Sequence, residues 1–292
     1  MSVEWAELSA ADLHSVVELY GRCLTADGGW PATASRGFLA KRYLGDGVTA
    51  VGARRHDGLV AAGSVRDVVG ATVVTGQVDP VHRGRGLGAA LLDRLLTTAR
   101  RRAGAVRVET EYLSAGAAEL FRSRGLRRTF AEDVMRRSLD TPLPEASVPA
   151  EVELEEWSEA RRGAFFAAYR SAFADRPGYP GWTEPQWAAW TAGGEFCPQY
   201  SLLACSSAGA PLGFVTCGRG FLIQVGVVPE NRHRGLGRAL AVAALSRMRS
   251  GGETEVLLDV NVNNPASAAL FLGLGFRPVA RRARYEPSRP AV

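Results

Sequence analysis

The chain has 292 residues, 46% hydrophobic and 22% charged, with 35 basic and 30 acidic side chains and a formal net charge of +5. The basic groups are almost all arginine and form no long Lys/Arg tract, which argues against a nucleic-acid partner. No apolar run is long enough to span a bilayer, and the N-terminus has no signal-peptide pattern. A cytoplasmic protein with no membrane partner is expected. The four cysteines (Cys23, Cys197, Cys205, Cys217) show no CxxC spacing, so reduced thiols and no metal site are expected.

In chain order, residues 3–8 read as a strand, and Leu13, Val16, Val17 and Tyr20 keep helical spacing. A Gly/Pro loop and a short helix near 38–43 follow. Three β-rich segments come next, at 48–53, 58–68 and 71–78, and Pro80 stops the last of them. A helix is predicted over 87–101, a strand over 105–110, a helix over 115–123 and a closing strand over 127–138. Residues 141–150 carry three prolines and read as a linker. The order then restarts. Strands are expected at 152–157, 201–206, 211–217, 221–228, 256–262 and 277–285, and helices at 158–173, 236–249 and 265–274. Between the first of these helices and the strand at 201 lies an aromatic-rich insert. The expected organisation is α/β: two tandem domains, 1–140 and 151–292, each a mixed central sheet flanked by helices.

One stretch occurs in both halves. Val78-Asp-Pro-Val-His-Arg-Gly-Arg-Gly-Leu-Gly-Ala-Ala-Leu91 and Val227-Val-Pro-Glu-Asn-Arg-His-Arg-Gly-Leu-Gly-Arg-Ala-Leu240 share V-x-P-x-x-R-x-R-G-L-G-x-A-L without a gap. Each reads as a strand, a Pro turn, an Arg/Gly loop and a helix. The first N–H groups of a helix have no internal acceptor, and its dipole favours negative charge there. Arg83, Arg85, Arg232, Arg234 and Arg238 add cations, so both loops are phosphate cradles. A dinucleotide site is disfavoured. Gly84–Ala89 fits G-x-G-x-x-A, but the second copy does not, and the loop follows a fourth strand rather than a first. The P-loop pattern G-x-x-x-x-G-K-[ST] does not occur.

Both loops resemble the acetyl-CoA signature of the GNAT N-acetyltransferase superfamily, here Arg83-Gly84-Arg85-Gly86-Leu87-Gly88 and Arg232-His233-Arg234-Gly235-Leu236-Gly237. The second half adds the family's other signature, Asn264-Pro-Ala-Ser-Ala-Ala-Leu-Phe-Leu-Gly-Leu-Gly-Phe276. The tandem layout resembles mycothiol synthase-like actinobacterial acetyltransferases. The resemblance implies transfer of acetyl from acetyl-CoA to a primary amine of a small molecule or peptide N-terminus, by a monomer or homodimer. It places the pyrophosphate on Arg232–Arg238 and the pantetheine arm along Val225 and Val227 (with Val78 the counterpart in the first half). It also places Asn264 beside the arm, where the residue is equally a helix N-cap.

Amide formation needs an unprotonated amine and a route for the departing thiolate. The resemblance puts a base at Asp259 and a proton-donating tyrosine at the position that here holds Phe271. Tyr285, on the last strand, is the candidate replacement. Mycothiol synthase also places a Glu where this chain has Phe221, so mycothiol formation is not expected. The first half offers Glu109 and Phe121 at the base and acid positions, and Ser114 in place of the Asn. The second half is therefore expected to be the active one, with the first degenerate or holding acetyl-CoA structurally. The insert at 175–190 is expected to wall the acceptor site through Tyr179, Trp182, Glu184 and Trp187. The alternative is a non-catalytic acyl-CoA-binding sensor or partner protein.

Overall fold

The computed structural model describes residues 3–56, 58–176, 179–193 and 195–288. The chain divides into two compact units. The first comprises Met1–Val134, Asp259–Asn263 and Pro278–Val292; the second comprises Met135–Leu258 and Asn264–Arg277.

In the first unit, glycine and proline stops cut the sequence into strands β1 (Glu4–Glu7), β2 (Thr49–Arg55), β3 (Gly58–Val68), β4 (Ala71–Val78), β5 (Ala105–Thr110) and β6 (Leu126–Ser138, to Val134 in this unit). The helices are α1 (Leu13–Asp27), α2 (Arg36–Leu44), α3 (Leu87–Ala99) and α4 (Ala115–Ser123). Strand β12 (Arg277–Pro287) also joins this sheet, whose order is β1-β2-β3-β4-β5-β12-β6. Among the described strand pairs of this unit only β4 and β5 run parallel, because α3 carries the chain back across the sheet. Leu87, Leu91, Leu92, Leu95 and Leu96 recur at helical spacing on α3 and bury against Val60, Val74 and Val108. On the opposite face, Val16, Leu19 and Tyr20 of α1 pack with Leu39 and Tyr43 of α2.

The second unit holds β7 (Val152–Glu156), β8 (Leu202–Ser206), β9 (Pro211–Gly218), β10 (Phe221–Val227) and β11 (Glu255–Asn261, to Leu258 in this unit), in the order β7-β8-β9-β10-β11. Its helices are α5 (Arg162–Phe173), α6 (Glu184–Thr191), α7 (Leu236–Ser250) and α8 (Pro265–Gly273). Its aromatic core gathers Phe165, Tyr169, Trp187 and Phe214 around α5. Both units thus keep the expected α/β order of helices and a mixed sheet.

The chain order suggests that β12 closes the second half's own sheet, and the structure corrects this. β12 lies antiparallel to β5, with Ala283 opposite Thr110, Arg284 opposite Glu109 and Tyr285 opposite Val108. Conversely, residues 135–140 leave the first unit, and Leu139 N–H donates to Thr254 O in the second. The compact units therefore do not follow the proline linker. The cause is apolar. Ala283 and Tyr285 point into the first unit's core, where the Tyr285 ring lies 4.8 Å from that of Phe121. Truncating this ring should cost about 3–5 kcal/mol of the first unit's stability. Denaturant unfolding of Tyr285→Ala should show that loss, with Tyr285→Phe close to the parent in both stability and turnover.

Candidate functional site

In each unit the parallel strand pair parts before the Arg/Gly loop begins. β4 pairs with β5 from Ala71↔Ala105 to Val74↔Val108, yet β4 continues to Val78. β10 pairs with β11 only at Phe221↔Leu257 among the described residues, yet continues to Val227. On its other side β10 stays paired with β9, and Val228 N–H donates to Leu212 O. Backbone groups alternate along a strand. Those of Val225 and Val227 therefore point to the side that β11 has left. Val78 stands likewise in the first unit, because Asp79 N–H donates the other way, to Val60 O.

Each loop ends in the same helix start. Gly86 and Gly235 are the N-caps of α3 and α7, both left-handed at φ 81° and ψ −7°. Two residues earlier the chain is left-handed again, at Gly84 (φ 72°) and at His233 (φ 61°), the only non-glycine residue so placed among those described. The first helical backbone bonds are Ala90 N–H to Gly86 O and Ala239 N–H to Gly235 O. The N–H groups of Leu87, Gly88 and Ala89, and of Leu236, Gly237 and Arg238, thus have no acceptor within their helices. Arg85, His233 and Arg234 are exposed beside them. Such a cradle fits a pyrophosphate. The second is the more cationic, since Arg238 stands where the first has Ala89.

Arg83 and Arg232 do not join that cationic rim. Each turns back into its own unit, Arg83 onto Val78 O and Asp27, and Arg232 onto Val227 O, Ala172 O and Asp175. The carbonyl of Val227 therefore already accepts one hydrogen bond, from Arg232. Asn264 serves as N-cap of α8, accepting from Ser267 N–H at 3.1 Å, and Ser114 does the same for α4.

The structure separates the candidate acid and base. Asp259 lies two residues past the single described β10–β11 register pair, and its carboxylate is largely buried in the first unit, 15% exposed. Trp30 Nε1–H donates to Oδ1 at 2.9 Å, and Arg282 meets Oδ2 at 3.0 Å. Arg282 also bridges to Glu132 at 2.8 Å. Burial pushes the Asp259 carboxyl up, with Arg282 opposing and Glu132 reinforcing, to about 6. Tyr285 does not face this cluster. Arg282 and Arg284 of β12 point to the carboxylate side, so the alternating Ala283 and Tyr285 point to the other. Burial raises its phenol above the ordinary value. Phe121 and Phe271 are both buried. Glu109 is ringed by Arg66 and Arg284 at 3.4 Å and Arg42 at 4.0 Å, while Glu111 holds Arg42 at 2.8 Å. Glu111 also borders a narrow cleft of about 10 Å³, room for about one water, with Cys23, Asp27, Gln77 and Tyr112.

The expected aromatic wall is largely core. Trp187 is fully buried and its Nε1–H donates to Gln224 at 3.0 Å. Tyr179 and Trp182 pack on Tyr169, and Glu184 pairs with Arg162 at 3.0 Å. Helical spacing of Trp187 and Trp190 leaves open which of them faces inward. The structure buries Trp187 and exposes Trp190.

A helix start with free N–H donors after a parted parallel strand pair, built twice, defines an α/β protein with two anion-binding loops. The family model for "Acetyltransferase (GNAT) family" matches residues 13–126 and again 154–276, and the chain belongs to that family. The chain is 36% identical to the mycothiol acetyltransferase of Thermobispora bispora, over 68% of this chain and 70% of that one. It is 34% identical to that of Thermomonospora curvata (89% and 84% covered) and 30% identical to that of Frankia alni (97% and 94%). Among solved structures, a GCN5-related N-acetyltransferase from Sphaerobacter thermophilus superposes with TM-score 0.79 at 24% identity, covering 99% of this chain and 97% of that one. A tandem GNAT protein from the clavulanic acid biosynthesis pathway gives 0.65 at 21% identity, covering 99% and 100%. At these identities the two structures establish the fold. The chain is thus a tandem GNAT protein and an acetyl-CoA-dependent N-acetyltransferase. Among the described residues, no helix is long and apolar enough to cross a membrane.

A carboxyl that titrates near 6 when folded and near 3.9 when unfolded binds its proton more tightly in the folded state. Its stabilising contribution is complete below the unfolded value and lost as pH rises through 6. Between pH 5 and pH 8 the parent should lose roughly 1–2 kcal/mol relative to Asp259→Asn. Urea denaturation of both proteins at the two pH values measures this.

Proposed function

We propose that the C-terminal half of the chain performs the transfer, with acetyl-CoA held by the loop Arg232–Arg238 and the acceptor a primary amine of a small molecule or peptide N-terminus. The observation that carries this reading is the early parting of β10 from β11 beside that loop. An extended amide chain can add to such an edge as a further strand does. Three differences favour the C-terminal half over the N-terminal one. Arg238 replaces Ala89, Asn264 replaces Ser114, and the ladder ends earlier.

In this reading acetyl-CoA supplies the thioester, and the chain supplies orientation and proton handling. The amine nitrogen bonds to the acyl carbon, the C–S bond breaks and CoA leaves as thiolate. Asp259 takes the amine's proton, directly or through water, and a carboxylate titrating near 6 is suited to that at neutral pH. Trp30 and Arg282 each hold one of its oxygens and keep it oriented. With Phe271 buried and Tyr285 in the first unit's core, no tyrosine is assigned to the thiolate, which leaves toward solvent.

The acceptor is read as different from that of the relatives named mycothiol acetyltransferase. Phe221 stands where the resemblance to mycothiol synthase calls for Glu, and Phe271 where the ribosomal-protein N-terminal acetyltransferase branch offers Tyr. A thiol-release assay with acetyl-CoA and an amine library tests this. Turnover with a mycothiol precursor as the best acceptor would overturn it.

Gly235 is left-handed, so Gly235→Ala strains the loop by about 1–2 kcal/mol even though the added methyl meets nothing within 4 Å. Together with Gly237→Ala it should raise the KM for acetyl-CoA at least tenfold. Gly86→Ala with Gly88→Ala should leave turnover within about twofold. The reverse pattern would place catalysis in the N-terminal half. The kcat/KM of the parent should rise with pH through about 6, and Asp259→Asn should lose that limb.

A further inference from the structure

The arginine that opens each phosphate loop makes the same set of bonds in both units. Arg83 donates through Nε to Val78 O at 3.0 Å and through its two terminal nitrogens to both oxygens of Asp27 at 2.6 Å. Arg232 donates through Nε to Val227 O at 3.2 Å and through its terminal nitrogens to Asp175 at 2.8 and 3.3 Å, with a further bond to Ala172 O at 3.0 Å. One guanidinium thus joins the end of a strand, the base of the loop and the C-terminal end of a helix.

The two halves reach this arrangement by different local routes. α1 runs through Asp27, whereas α5 stops at Phe173 and Asp175 lies just beyond it. The Arg–Asp separation is 56 residues in the first unit and 57 in the second. The pairing has survived a one-residue shift that changes the secondary structure of the carboxylate. Retention of the bond across that shift singles out the bond, rather than a copied local motif, as the feature the loop requires.

Its physical effect follows from what the loop must do. The donors of Leu236, Gly237 and Arg238 bind an anion only if the chain entering them is held in the left-handed steps at His233 and Gly235. An entry point free to swing would have to be ordered at binding, and that ordering is subtracted from affinity. A planar, bidentate guanidinium is the side chain that fixes such a junction. The helix end it grips is also where the segment toward Tyr179 and Trp182 begins. In the first unit Asp27 itself borders the cleft shared by Cys23 and Glu111.

We propose that Asp27 and Asp175 are positioning residues. Through Arg83 and Arg232 they preorganise the two loops for the CoA pyrophosphate and tie each loop to the helix end that leads into the acceptor side. This rests on reading the loops as CoA sites. The two clamps differ in strength. The Asp27 side chain is 6% exposed and Asp175 61%, so solvent screens the second pair far more.

The test compares the parent with Asp27→Asn, Asp175→Asn and Asp175→Glu. Calorimetry measures CoA affinity at each site, pantetheine serves as a probe lacking the pyrophosphate, and thermal unfolding runs alongside. Asp175→Asn should weaken CoA at one site about three- to tenfold and leave pantetheine binding and Tm unchanged. Asp175→Glu should recover most of the loss, and Asp27→Asn should weaken the other site by the larger factor. CoA affinity unchanged in both Asn variants would overturn the clamp and leave the CoA reading standing. Equal losses for CoA and pantetheine, falling with Tm, would also overturn it. A parent that binds no CoA would overturn both.

Discussion

Two parallel strands that stop pairing leave backbone N–H and C=O groups unpaired on one side, and the function proposed for this chain rests on that edge. Unpaired backbone groups within a fold are costly unless something hydrogen-bonds to them. Among the described residues β10 keeps β11 only at Phe221↔Leu257 and then runs on to Val227 paired with β9. The left-handed N-cap at Gly235 follows at once, so a bare strand edge and a set of bare helix donors adjoin. An extended, amide-containing arm ending in a pyrophosphate satisfies both together. β4, β5 and Gly86 repeat the arrangement.

The repetition separates what the loop needs from what is incidental. Both copies keep Gly at the helix N-cap with identical dihedrals, and both keep the arginine that folds back on a carboxylate. They differ at the earlier left-handed step, where Gly84 faces His233, and at the first helical turn, where Ala89 faces Arg238. They differ also in the caps that follow, Ser114 against Asn264, each bonding the backbone three residues on. The first unit retains the geometry with fewer cations.

Arginine dominates the basic residues, and the structure shows a use for its fork. Arg282 spans Asp259 and Glu132, Arg42 spans Glu111 and Glu109, and Arg66 and Arg284 close around Glu109. A point-charge ammonium could not serve two partners in fixed directions so readily. Among these carboxylates, burial outweighs the arginine at Asp259, which therefore keeps proton affinity near neutrality.

Local chemistry was legible from residue types alone. The Pro turns, the Gly-rich helix starts, the cap at Asn264 and the repeated order of elements depend on neighbours within a few positions. Sheet-edge choice does not. Nothing near Tyr285 indicates that β12 pairs with β5, because a strand's partner is decided by whichever core its apolar face fills. The same holds for Trp187, whose spacing suits a wall or a core until the helix's orientation is known. It holds too for Asp259, whose proton affinity depends on Trp30, 229 residues away in the chain. The sequence by itself determined the family, the two repeated Arg/Gly loops and their order. Tertiary structure alone decided which carboxylates are caged, which aromatic rings are buried and where the loop arginines point, because each depends on contacts between residues that the chain keeps far apart.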